Sequence, residues 1–128
     1  MTQRRWTTED GYAVLTGWDR PLQYFFLDIS RICPACEGNG TSGEDRKFGC
    51  DDCEGRGEQH VFSNLWSPKY PRGAMTLEDV MSELAEHLTA WPDTIKLVLA
   101  GDKATNAGNE VSAYEPIGRL KSPLAANA

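Results

Sequence analysis

Apolar and branched side chains concentrate in two early runs, residues 12–16 and 22–32, separated by Gly17-Trp18-Asp19-Arg20-Pro21. Runs rich in aromatic and β-branched residues and bounded by turn formers read as strands, so this stretch predicts a β-hairpin. Along the second run Phe25, Leu27 and Ile29 fall on one face and Leu22, Tyr24 and Phe26 on the other. Side chains alternate across a strand, and apolar surface on both faces predicts a central, buried strand. Residues 33–57 then offer almost nothing to bury, and residues 59–66 read as a third strand ended by Ser67-Pro68 and a Pro-containing stretch to Gly73. The segment 33–57 is therefore expected to be an insertion between two strands.

A three-and-four period takes over after Gly73. Leu77, Val80, Met81, Leu84, Leu88 and Trp91 repeat at helical spacing over residues 77–90, and Thr76 with Asp79 approximates a capping box. Glu78, Asp79, Glu83 and Glu86 fill the remaining positions with no basic residue of the helix answering them, which predicts an acidic solvent face. Pro92 suits the start of a second helix over residues 92–104, with Ile95, Val98, Leu99 and Asp102 along one side, Lys103 near its end and Asn106 or Gly108 as its stop. Residues 95–100 also fit a buried strand. Residues 111–114 read as a last strand and residues 116–128 as a flexible tail. The expected fold class is α+β: an antiparallel sheet of three to four strands packed against two helices, with the insertion projecting from one end of a single domain.

Composition changes this picture little. A chain of 128 residues is about one domain and removes roughly two-thirds of its extended surface from water, so a core forms without cross-links. Thirteen Lys and Arg against nineteen Asp and Glu give a formal charge of −6, which disfavours partners held mainly through phosphates. The N-terminal stretch has no uninterrupted apolar segment of the signal-peptide kind, and no apolar run approaches the roughly 20 residues of a membrane helix. A cytoplasmic protein without membrane contact is the expectation.

The insertion carries the chemistry. Cys33-Pro34-Ala35-Cys36-Glu37-Gly38-Asn39-Gly40 and Cys50-Asp51-Asp52-Cys53-Glu54-Gly55-Arg56-Gly57 are two copies of CxxCxGxG. Cysteines three apart on a tight turn aim two sulfurs at one ion, glycines let the backbone curl back, and two such knuckles complete a tetrahedron. Cys33, Cys36, Cys50 and Cys53 are thus the candidate ligands of one structural Zn²⁺. A closed four-thiolate site has no open position for water or substrate, so its expected role is to order the segment rather than to act as a Lewis acid. Four thiolates around one zinc would take the formal charge from −6 to about −8. Disulfides, a thiol-redox CxxC pair and rubredoxin-like iron compete with zinc for the same four residues.

The paired motif resembles the cysteine-rich domain of DnaJ-type chaperones and the single-zinc knuckle of anti-TRAP, over residues 33–57 only. DnaJ proteins carry four such repeats, two zincs and a J-domain with an HPD tripeptide; this chain has two repeats and no HPD. The resemblance implies the four cysteines as ligands and a tendency to meet other proteins. The flanking stretches 17–26 and 106–109 also resemble segments of small bacterial proteins of unassigned role.

Outside the insertion the candidates are few. Trp18, Asp19 and Arg20 at the hairpin turn form a candidate binding cluster, because Trp and Arg anchor interfaces more often than other residues; the competing reading is that Trp18 folds over the sheet while Asp19 and Arg20 cap the turn. His60 and His87 are the only histidines, and neither has a nucleophile or metal-ligand pattern beside it, His87 being expected on a solvated flank. Asn106 and Asn109 around Gly108 suit a helix stop better than a polar site. Acidic residues surround the cysteines, unlike the basic setting of nucleic-acid zinc ribbons. The expected function is a non-enzymatic protein–protein interaction module with a structural zinc, such as a small bacterial or phage inhibitor or adaptor. A redox-responsive or chaperone-like zinc protein and a nucleic-acid-binding zinc protein are the alternatives.

Overall fold

The computed structural model describes residues 1–34, 57–114 and 116–124, together with the backbone of residues 41–42 and 48–49. Strands β1 (Thr2–Thr7), β2 (Ala13–Asp19) and β3 (Tyr24–Ile32) lead to a small hairpin of β4 (Thr41–Ser42) and β5 (Phe48–Gly49), then β6 (Glu58–Ser63). Helices α1 (Leu77–His87) and α2 (Thr94–Ala104) and strand β7 (Glu110–Ala113) complete the order. The main sheet has five strands in the order β6-β3-β2-β1-β7. All neighbours are antiparallel except β1 and β7, which run parallel. The fold is α+β as expected, but the sheet is mixed and larger than the three or four antiparallel strands its hydropathy predicts.

The missing strand was β1. Its buried positions alternate as a strand requires, but they are Thr2, Arg4 and Trp6, and two polar residues out of three hide the alternation from any hydropathy reading. What burial demands instead is hydrogen-bond partners. Arg4 Nε and Nη2 donate to Asp102 Oδ2 and Oδ1 at 3.1 and 2.7 Å, Arg4 Nη1 donates to Ser112 Oγ at 3.0 Å, and Thr2 Oγ1 donates to Asp102 Oδ2 at 3.0 Å. This fork joins β1, α2 and β7. Thr2 also passes so close to β2 that a Cβ on Gly17 would sit 2.1 Å from the Thr2 carbonyl oxygen, and only glycine fits there.

Helices α1 and α2 pack on the face formed by Val14, Phe25, Leu27 and Ile29, to which they contribute Val80, Leu84, Ile95 and Leu99. The capping box forms as its spacing predicts: Asp79 N donates to Thr76 Oγ1 at 3.1 Å and Thr76 N to Asp79 Oδ2 at 2.9 Å. Helix α1 stops at His87, short of residue 90. Leu88 instead bridges Leu120, while Lys121 N donates to the His87 carbonyl. Residues 116–124 therefore do not behave as the expected tail. Ile117 and Leu120 are buried, and Leu124 N donates to the Tyr12 hydroxyl at 2.9 Å. Residues 125–128 lie outside the described residues. Among the described residues no helix is long and apolar enough to cross a membrane.

Candidate functional site

The β3–β6 hairpin brings together the features that the rest of the fold does not need. Strand β3 continues directly into Cys33 and β6 starts directly after Gly57, so the cysteine segment is an insertion at the tip of this hairpin. Its neck is closed by a backbone bond, Cys33 N donating to the Gly57 carbonyl at 3.0 Å. Cys33 is fully buried there. Gly57, the last glycine of the second CxxCxGxG, has φ +80°, a left-handed conformation that side chains resist. Further out, Thr41 pairs with Gly49 across β4 and β5. The path from Cys33 to Thr41 thus holds one knuckle and the equally long path from Gly49 to Gly57 holds the other. Cys36, Cys50 and Cys53 lie outside the described residues.

Below the neck, on the sheet face opposite the helices, His60 is held between two carboxylates. Its Nδ1 lies 2.7 Å from Asp28 Oδ1 and its Nε2 3.0 Å from Glu58 Oε1. The ring meets Trp66 edge to face at a centroid distance of 4.7 Å. Burial raises the Asp28 carboxyl above its ordinary value; the hydrogen bond and charge of His60 oppose this, and Glu58 adds to it. Both ring nitrogens are engaged, and the arrangement ties β6 to β3. The pair is hidden in the sequence because Asp28 and His60 are 32 positions apart; only strand pairing joins them.

The same face is uncovered among the described residues. Leu15, Tyr24 and Phe26 are half-buried on it, and a cavity of about 170 Å³ lies between Leu15, Asp19, Tyr24, Phe26 and Asp28. Leu65 and Trp66, in the loop after β6, stand 69% and 57% exposed, and Ile32, at the end of β3, 68%. A hollow of about 370 Å³ is lined by His60, Phe62, Ser63 and Trp66 on β6 and the loop after it.

The predicted binding cluster at the β2–β3 turn is corrected by the structure. Trp18 is 3% exposed, packs edge-on against Phe25 at 4.9 Å and donates from Nε1 to Asn106 Oδ1 at 3.0 Å. Asp19 is buried and accepts from Leu22 N at 3.2 Å, so it caps the turn. Arg20 alone reaches solvent. Phase explains the difference: β2 runs through residue 19, so Trp18 is an inward strand position and not part of a turn. Asn106, at φ +49°, is the helix stop its identity suggested, and it also receives Gln23 Nε2 at 2.7 Å.

The acidic flank expected of α1 is only partly solvent. Glu83 is 3% exposed; its Oε1 accepts from the Tyr70 hydroxyl at 2.7 Å and from Lys69 Nζ at 3.2 Å, and its Oε2 lies 3.3 Å from His87 Nε2. Burial, reinforced by Glu83, holds the Tyr70 hydroxyl far above its ordinary range. His87 is correspondingly half-buried against Phe62 at 5.4 Å, not solvated. Every member of this group has a partner.

No family model, curated protein or solved structure matches the chain.

Proposed function

We propose that this chain is a non-enzymatic protein-binding module whose recognition end, the β3–β6 hairpin, is held in shape by one structural zinc on Cys33, Cys36, Cys50 and Cys53. The observation that supports the metal is the bracketing of the two CxxCxGxG knuckles. The Cys33–Gly57 bond closes one end and the Thr41–Gly49 pair closes the other, with arms of equal length between them. A tetrahedral four-thiolate site needs two two-cysteine turns facing each other, and a frame closed at both ends with arms of equal length supports that reading. Zinc binding to four thiolates supplies roughly 10–16 kcal/mol in zinc-finger peptides, enough to order a segment with so little to bury.

The interaction reading is supported by the uncovered sheet face and by the exposed Ile32, Leu65 and Trp66 at the two ends of its β3–β6 edge, apolar side chains that a partner would take out of water. The formal charge of −6 favours a basic protein surface over nucleic acid as the partner. A cytoplasmic bacterial or phage adaptor or inhibitor fits these features.

The test pairs metal analysis with capture. Purified protein should carry one zinc per chain, and Cys33→Ser or Cys53→Ser should lower that ratio to near zero. A tagged chain should retain a nuclease-resistant, stoichiometric protein partner from bacterial lysate and lose it on Trp66→Ala. Metal-free protein with two disulfides would reject the zinc, and a partner lost on nuclease treatment would move the function to nucleic acid.

A further inference from the structure

A second cleft stands apart from the cysteine hairpin, at the end of the molecule where the α1–α2 connection meets the exit of β7. It encloses about 380 Å³ and is lined by Trp6, Trp91, Pro92, Thr94, Tyr114 and Pro116 among others. Three aromatic rings come from three separate elements. Trp6 belongs to β1, Trp91 follows α1, and Tyr114 follows β7. Among the described residues the lining contains no charged side chain.

The cleft wall is preformed. The Tyr114 ring stacks on Trp6 with centroids 4.5 Å apart and planes 9° from parallel. Its hydroxyl accepts from Ser112 Oγ at 3.0 Å, and Ser112 Oγ in turn accepts from Arg4 Nη1 at 3.0 Å. Arg4 is itself fixed by the two oxygens of Asp102. The buried fork that ties β1 to α2 thus ends on a ring of the cleft, and that ring has no freedom to lose when a ligand arrives.

Three donors at the cleft are left for a ligand. The Trp91 indole N–H and the Thr94 hydroxyl donate to no group among the described residues. The Tyr114 hydroxyl, which accepts from Ser112, keeps its own proton to give. Apolar rings with unengaged N–H and O–H donors suit a ligand that is apolar and presents acceptors. A polyproline II segment has that character: its proline nitrogens carry no hydrogen, its carbonyls point outward, and its rings stack on aromatic faces at low entropic cost. Asp93 lies beside Pro92 and Thr94, is exposed, and does not cap α2 with its side chain, so its carboxylate complements a basic residue flanking the prolines.

We propose that this cleft binds a proline-rich segment of a partner protein, bearing a Lys or Arg next to its prolines, in polyproline II conformation. This partner class goes beyond the zinc-stabilised hairpin and does not depend on it.

The probe is a blocked synthetic peptide of consecutive prolines with one terminal lysine, titrated into the full chain and followed by tryptophan fluorescence and calorimetry. Saturable one-to-one binding is expected, with an alanine-for-proline peptide of the same length and charge binding at least about tenfold more weakly. Trp91→Phe and Tyr114→Phe, which keep a ring and remove one donor each, should each weaken binding about fivefold or more. Asp93→Asn should weaken it about two- to threefold at low salt and not at high salt. Trp66→Ala and chelation should leave it unchanged, which separates this site from the hairpin surface. Absence of saturable binding, equal affinity for the alanine peptide, or indifference to both donor deletions would overturn the proposal. So would a small planar aromatic such as indole binding where the proline peptide does not, since that would give the cleft to a free ring ligand.

Discussion

Asp28 is a half-buried carboxylate on a sheet face that no described element covers, and His60 is what makes its charge tolerable there. Burial is the largest influence on Asp28 and raises its titration above the ordinary 3.8, while His60 opposes the rise. A carboxylate raised on folding binds its proton more tightly in the native state. Native stability therefore falls as pH rises from about the unfolded value to the folded one, and stays lower above it. Replacing His60 by the neutral Gln removes the opposing charge, so Asp28 rises further and the fall becomes larger and extends to higher pH. The urea midpoint of His60→Gln should drop more steeply than that of the parent as pH rises above about 4, and Asp28→Asn in the same background should abolish the difference. Parallel profiles would mean that His60 does not govern Asp28. The Arg4–Asp102 fork makes a different demand, because Asp102 is 6% exposed and Arg4 9%. Asp102→Ala leaves a guanidinium buried without its counter-charge, a loss of about 3–5 kcal/mol. Chemical denaturation should show it, with part of the loss recovered when Arg4→Met is added.

At the scale of elements, local signals held wherever an element's own residues define it, and α1 is the plainest case. Its apolar period and its Thr76–Asp79 box predicted a start that the backbone follows to the residue. Thr76→Ala should accordingly cost about 1 kcal/mol, a drop of about 3–5 °C in melting temperature for a chain of this size. No change would mean that tertiary packing alone fixes the helix start. Local signals failed where a distant partner decides. Strand β1 was invisible because the side chains it buries, Thr2 and Arg4, are made tolerable by Asp102, about a hundred positions later. Glu83 looked like a solvent residue of an acidic face, but Lys69, Tyr70 and His87 enclose it. The tail looked frayed because Ile117 and Leu120 are isolated apolar residues with no period, and each finds its bridge on a segment that sequence alone does not place nearby. The β2–β3 turn was misjudged by phase, as strand β2 extends through the very residues, Trp18 and Asp19, that read as turn formers.

Across the whole molecule, the cysteine motif was legible as a motif because its ligands are adjacent in sequence, whereas the aromatic cleft, drawn from three elements, could be seen only in the fold. That contrast has an energetic counterpart. Residues 34–56 carry only Pro34, Ala35 and Phe48 as apolar side chains besides three cysteines, so the two-layer body has little to gain from the insertion by burial. Metal and body stability should then be separable. Chelation is expected to make the chain cleavable by protease first within residues 34–56, with the rest surviving as a folded nicked core. The melting transition of that core should move by no more than the equivalent of about 1 kcal/mol, since it loses chiefly the Cys33–Gly57 bond at the neck. Global unfolding on chelation would show instead that the knuckle clamps β3 to β6 and that the hairpin, with its Asp28–His60 pair, cannot hold its register alone.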